Sequence, residues 1–163
     1  MSYFIIIRGP LGCGKTTISK QLSKILNAKH IAIDEVLEKN GLDKVPPDAP
    51  CIPVENFVKA NEIAIPLAKE YLKNNIVIFD GCFYHKEAID HLVEKLSCPN
   101  YIFTLKAPLE ICIKRDAERD RVYGEGAAKA VYGLVSRFDY GTVIDASEDV
   151  EMVVGEIFSY LPN

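Results

Sequence analysis

Near the start of the chain, Gly9-Pro10-Leu11-Gly12-Cys13-Gly14-Lys15-Thr16 follows the spacing Gly-x-x-x-x-Gly-Lys-Thr. Glycines at these positions let successive backbone N–H groups turn inward, and a helix beginning at Lys15 adds the positive end of its dipole. A segment of this kind cradles phosphate oxygens. Lys15 then faces β- and γ-phosphates, and the Thr16 hydroxyl is placed to ligate Mg²⁺. The expectation is a nucleoside triphosphate site.

Two further groups could take part in chemistry there. Asp34-Glu35 and Asp80 each close a short apolar run, His30–Ile33 and Ile76–Phe79. In an open α/β sheet ligands bind outside the carboxyl ends of the strands, so both carboxylates are expected near the phosphate loop. Asp80 is then the Mg²⁺ partner, through water, or a turn former before Gly81. Arg115, Arg119 and Arg121 stand at i, i+4 and i+6 in a charge-dense stretch. On one continuous helix the first two share a face, and the third turns toward Gly124 and Gly126. They either serve the site or form a solvated face. Phe83, Tyr84 and His85, with Phe57 and Asn61, are candidates for lining an acceptor pocket.

The elements that must position these groups are legible as alternating patterns. Strand-length apolar runs occur at Tyr3–Ile7, His30–Ile33, Ile76–Phe79, Tyr101–Leu105 and Thr142–Asp145. Between them lie helical periodicities at Lys15–Leu26, Asp34–Lys39, Val54–Leu72, Glu87–Leu96, from Pro108 onward, Ala127–Phe138 and Val150–Leu161. Pro66 is expected to kink or split the long one. Pro46, Pro47, Pro50 and Pro53 mark a surface loop. Buried strands separated by helices predict a parallel sheet covered on both faces. The 163 residues show no repeat or break in composition, so one domain over 1–163 is expected.

Composition excludes several classes. Charged residues are 26% and hydrophobic residues 48% of the chain, which does not describe a disordered, collagen-like or coiled-coil protein. The 19 basic against 23 acidic residues leave a net charge of −4, the wrong sign for a chain that lives on nucleic acid. The five cysteines form no C-x-x-C pair and no zinc pattern, so reduced thiols and a cytoplasmic location are expected. The apolar start is too short for a signal-peptide core or a membrane span.

The chain resembles the small P-loop kinases of the nucleoside-monophosphate-kinase type. It is most similar to the branch with chloramphenicol phosphotransferase, polynucleotide 5′-hydroxyl kinase, adenylylsulfate kinase, shikimate kinase and gluconate kinase. The resemblance rests on Gly9–Thr17, Ile33-Asp34-Glu35, Ile76–Gly81, Ala107-Pro108-Leu109-Glu110 through Lys114-Arg115-Asp116, and Val143-Ile144-Asp145. It implies a three-layer fold with a five-stranded parallel sheet in the order 2-3-1-4-5 and an arginine-bearing lid over about residues 115–128. It also implies ATP and Mg²⁺ as cofactors, with Gly9, Pro10, Leu11, Gly12, Cys13, Gly14, Lys15, Thr16, Thr17 and Arg115 around the nucleotide. Asp34 would accept the proton of the acceptor hydroxyl, if it does not simply cap the second helix. Arg119 or Arg121 would reach the transferring phosphoryl group. The reading is an ATP-dependent kinase for a small hydroxyl acceptor, with oligomeric state left open. Its rivals are a nucleotide or polynucleotide kinase and a nucleotide-binding switch or slow ATPase. No guanine-reading Asn-Lys-x-Asp is present. No arginine falls between the phosphate loop and the lid, so the acceptor is expected to be uncharged or cationic.

Overall fold

The computed structural model describes all 163 residues. Five strands, β1 (Phe4–Arg8), β2 (Lys29–Ala32), β3 (Val77–Gly81), β4 (Asn100–Lys106) and β5 (Thr142–Asp145), form one sheet. Every pairing is parallel, and the order is β2-β3-β1-β4-β5. The central strand β1 is buried along its whole length, as its unbroken apolar run requires.

Side chains alternate across a strand, and the register decides which helix layer each one meets. Phe4 and Ile6 of β1, with Phe79 of β3 and Ile102 of β4, face a core completed by α2 (Ile33–Lys39), α3 (Val54–Tyr71), α4 (Lys86–Leu96) and α6 (Glu125–Val135). Ile5 and Ile7, with Ile78, Phe103 and Leu105, face a second core. Helices α1 (Lys15–Leu26), α5 (Leu109–Ala117) and α7 (Val150–Ser159) supply its other half. The sheet is thus the middle of three layers. None of the helices is long and apolar enough to cross a membrane.

Two expectations about local structure are corrected. Of the kink or split expected at Pro66, the split does not occur, since α3 runs through it. Pro66 and Glu62, whose carbonyl the missing N–H would have engaged, are both exposed, so water can satisfy that carbonyl. The arginine stretch is not one helix. α5 ends at Ala117 because the buried Asp116 carboxylate turns back to accept the backbone N–H groups of Tyr123 at 3.3 Å and Gly124 at 2.9 Å. Arg115 is therefore helical, whereas Arg119 and Arg121 sit on the short turn that joins α5 to α6.

Candidate active site

The phosphate loop leaves β1 at Arg8 and enters α1 at Lys15. Gly14 is the N-cap at φ 94°, a left-handed conformation natural to glycine, and no side chain caps the helix. By contrast Asp149 caps α7 by accepting from the Met152 N–H at 2.9 Å. The free N–H groups of α1 are thus held open toward the loop, the arrangement that receives an anion. At Gly12, with φ 78°, any Cβ would collide with the Cys112 carbonyl of α5, so the loop rests directly on that helix.

Lys15 is only 7% exposed, and its ammonium donates to the Pro10 carbonyl at 2.8 Å. Burial opposes its charge, but the acid groups facing it, Cys82, Cys13, Asp34 and Asp80, hold its pKa above the ordinary lysine value. The carboxylates carry that effect, because burial pushes the Cys82 thiol itself well up and keeps it neutral. Burial also raises the pKa of Asp34, against the opposing field of Lys15 and with the help of Asp80. The Cys82 N–H reaches the Asp34 carboxylate at 3.4 Å.

Asp80 pairs in register with Ile7 and so points to the α1 face of the sheet. His30 pairs with Ile78, one step along the same face, and its Nε2 hydrogen-bonds Asp80 Oδ2. The structure thus brings together Lys15, Asp34 and Asp80 and adds His30, which the sequence pattern did not single out. Thr16 is half-buried and Thr17 exposed at the first turn of α1.

Arg115 lies against the loop from the other side. Its Nη1 donates to the Ala146 carbonyl at 2.7 Å and the Cys13 carbonyl at 3.5 Å, and its Nη2 to the carbonyls of Ser147 and Glu148. Arg119 and Arg121 do not touch the loop. Arg119 approaches Asp116 at 3.9 Å, Arg121 pairs with Glu38 of α2, and both guanidinium groups flank the Tyr123 ring.

Of the residues expected to line an acceptor pocket, Phe57, Tyr84 and His85 pack edge to face with centroids 5.0–5.4 Å apart, but Phe57 and Tyr84, like Phe83, are buried in the core and only His85 is part-exposed. The proline loop is fastened to them at Ile52. Its N–H donates to the Tyr84 hydroxyl at 3.1 Å, and its carbonyl accepts from His85 Nε2 at 2.7 Å. Asn61 lies outside this aromatic cluster. It is fully buried, with its amide donating to the Ala88 carbonyl of α4 at 2.8 Å. Arg8 is a further residue the pattern missed. It is buried completely behind the loop, and its only sequence signal was a guanidinium closing an otherwise apolar strand.

A family model described as an AAA domain matches residues 5–129. No curated protein sequence matches the chain. Among solved structures, a gluconokinase from Sinorhizobium meliloti superposes with a TM-score of 0.69 at 13% identity, covering 95% of this chain and 89% of that one. A sugar kinase from a Janibacter species gives 0.73 at 15% identity, covering 98% and 94%. The tunicamycin resistance protein of Deinococcus radiodurans gives 0.68 at 20% identity, covering 98% and 95%. At these identities the likeness is one of fold, and it extends over nearly the whole chain.

Proposed function

The chain belongs to the AAA domain family of P-loop proteins, and on that premise we propose that it is an ATP- and Mg²⁺-dependent phosphotransferase acting on a hydroxyl of a small acceptor. The observation that carries the reading is the convergence of Lys15, Asp34 and Asp80 at the mouth of an uncapped helix. A cation for the phosphates and a separate carboxylate for the acceptor are the parts that phosphoryl transfer requires. The fold shared with a gluconokinase and a sugar kinase supports a small-molecule acceptor.

ATP would lie along the loop from Gly9 to Thr17, with Arg115 beside the base or ribose. Arg115 is anchored to the loop after β5 by the carbonyls of Ala146, Ser147 and Glu148, which fix the wall it would form there. No three His, Cys, Asp or Glu side chains converge to hold a metal by themselves. A Mg²⁺ here would be shared between nucleotide phosphates, the Thr16 hydroxyl and Asp80, an arrangement common for this ion. When bound it would neutralise charge on the phosphates.

Asp34 would take the proton from the acceptor hydroxyl. Burial raises its pKa above the ordinary aspartate range, and a higher proton affinity makes the ionised carboxylate a stronger base. Lys15 is charged and buried, and so can offset negative charge on the phosphates where water screens it least. The turn bearing Arg119 and Arg121 would cover the reacting groups and exclude water, which favours transfer over hydrolysis.

ADP release measured with ATP·Mg²⁺, with and without a panel of hydroxyl compounds, tests the reading. Release that depends strictly on an added acceptor is expected. Equal release without any acceptor would make the chain a slow ATPase or a nucleotide-driven switch.

A further inference from the structure

Arg8 is a completely buried guanidinium whose hydrogen-bond partners include no carboxylate. Its Nε donates to the Phe83 carbonyl at 3.3 Å, and its Nη2 to the Val135 carbonyl at 2.9 Å. Its Nη1 donates to Thr104 Oγ1 at 3.0 Å and to the Phe138 carbonyl at 3.1 Å. The Phe138 ring covers the group at 4.3 Å. Burial lowers its pKa to about 10, against the opposing field of Asp139, and it stays charged at neutral pH. A buried cation with no carboxylate in hydrogen-bond contact is a costly choice for a core position. An apolar residue would fill it at less cost if filling were all that was needed.

The four contacts reach three places. Phe83 lies in the turn after β3 and has φ 41°, a strained conformation for an aromatic residue. Its neighbours on either side are the Cys82 N–H that meets Asp34 and the Tyr84-His85 pair that fastens the proline loop. Val135 ends α6, where unpaired carbonyls and the negative end of the dipole favour a cation. Thr104 passes the connection onward, because its hydroxyl donates to the Tyr140 carbonyl at 2.7 Å and accepts from the Tyr140 N–H at 3.0 Å. Arg8 is also the residue immediately before Gly9.

We propose that Arg8 is a positioning residue for the transfer reaction, fixing the Phe83 turn and the C-terminal end of α6 in register with the phosphate loop. The inference rests on the phosphotransferase reading above. Arg8 touches no reacting group and acts through the carbonyls it holds. Its planar fork carries donors on three nitrogens at fixed angles and spans separated segments that the compact ammonium of a lysine, with all its donors on one atom, cannot reach together.

Arg8→Met keeps length and apolar volume while removing every donor, and it is the first variant to test. A fluorescent ATP analogue should bind it with unchanged Kd, while kcat falls roughly 10²-fold, the loss expected when reacting groups are misplaced by about 1 Å. Amide exchange should quicken together in residues 83–85 and 135–140. An unchanged kcat in a folded variant with a lowered Tm would show a structural cross-link and overturn the proposal. So would a loss of ATP-analogue binding that parallels the loss of kcat, which would place the effect in the phosphate loop alone. If Arg8→Met does not fold, Arg8→Lys keeps the charge but not the fork and should give the same split between Kd and kcat. If no hydroxyl compound supports transfer by the unaltered protein, the phosphotransferase reading fails and exchange alone decides the role of Arg8. A non-hydrolysable ATP analogue should then protect 83–85 and 135–140 in the parent chain and not in the variant. Equal protection in both refutes the coupling.

Discussion

Nη1 of Arg121 stands 2.6 Å from Oε2 of Glu38, joining the turn between α5 and α6 to the helix that carries Asp34. Both side chains are well exposed, at 60% and 44%, so the pair adds little to stability. Its importance is geometric. An arginine held by Glu38 must release it before it can reach a phosphoryl group.

Arg119→Ala and Arg121→Ala should therefore differ sharply in kcat. Arg121 reaches from its turn to the helix that carries Asp34, and Arg121→Ala is expected to lose about 10³-fold or more, the contribution of a phosphate-directed arginine. Arg119, tied loosely to Asp116 on its own turn, should lose little. Glu38→Gln should preserve turnover, since it frees Arg121. Two equal and mild losses in steady-state assays would return both arginines to a solvated surface role.

Lys15→Ala removes the buried cation that faces both carboxylates. Transfer should be abolished, with the circular dichroism spectrum unchanged. A folded variant that keeps near-normal kcat would show that the loop does not hold the reacting phosphates.

Asp34→Asn should lower kcat by about 10²–10⁴-fold, the usual worth of a general base, with far less effect on ATP affinity. The pH dependence gives a second check. The base is the ionised form, and burial raises its pKa above the ordinary aspartate value of about 4. Activity is then lost as pH falls through that raised value, so the acid limb of kcat/KM should lie above the position for an exposed carboxylate. Asp34→Asn should abolish that limb. A variant that loses stability and keeps its turnover and acid limb would leave Asp34 as a helix-terminus residue only.

His30→Ala should destabilise the protein, because Asp80 is 2% exposed and His30 is its hydrogen-bond partner. Leaving a buried acceptor unsatisfied costs about 1–3 kcal/mol, and more for a charged one. Urea unfolding without nucleotide measures this. No change in the midpoint would mean that water satisfies Asp80 equally well.

These positions differ in how much the sequence shows of them. The phosphate loop is contiguous and its spacing is dictated by backbone geometry, so Gly9 to Thr16 announce themselves. The strand and helix periods likewise place Asp34 and Asp80 at strand ends, because local pattern and burial agree there. The lid does not yield to period counting. Arg115, Arg119 and Arg121 keep helical spacing, but one buried carboxylate, Asp116, captures two backbone N–H groups and ends the helix. Arg8 and His30 depend on register. Arg8 meets partners 75 to 130 positions away, and His30 meets Asp80 only because β2 pairs with β3 at Ala32↔Asp80. Nothing local in the sequence carries such information.

The acceptor should be uncharged or cationic where it enters the site. Recognition of a phosphate or carboxylate favours the rigid fork of arginine, and none lies between the phosphate loop and the lid. Arg8 is the one arginine that lies in a strand, and it is fully buried with its guanidinium held by the protein's own carbonyls and Thr104. It is not free to read an anion. Among the lysines of that interval, Lys39 is drawn toward Glu35 at 3.8 Å. Of the aromatic candidates only His85 keeps part of its surface exposed, Phe57 and Tyr84 being packed into the core behind it. Asp34 adds negative charge, which repels an anion and attracts an ammonium. A side-by-side panel of neutral polyols, sugars, nucleosides and amino alcohols against nucleoside monophosphates and hydroxy acids provides the measurement. Turnover should concentrate in the first group, and amino alcohols should lose activity as salt screens Asp34. Robust phosphorylation of a nucleoside monophosphate, with none of the neutral polyols accepted, would overturn the inference and point to Lys44, Lys59 or Lys86 as the anion-reading residues.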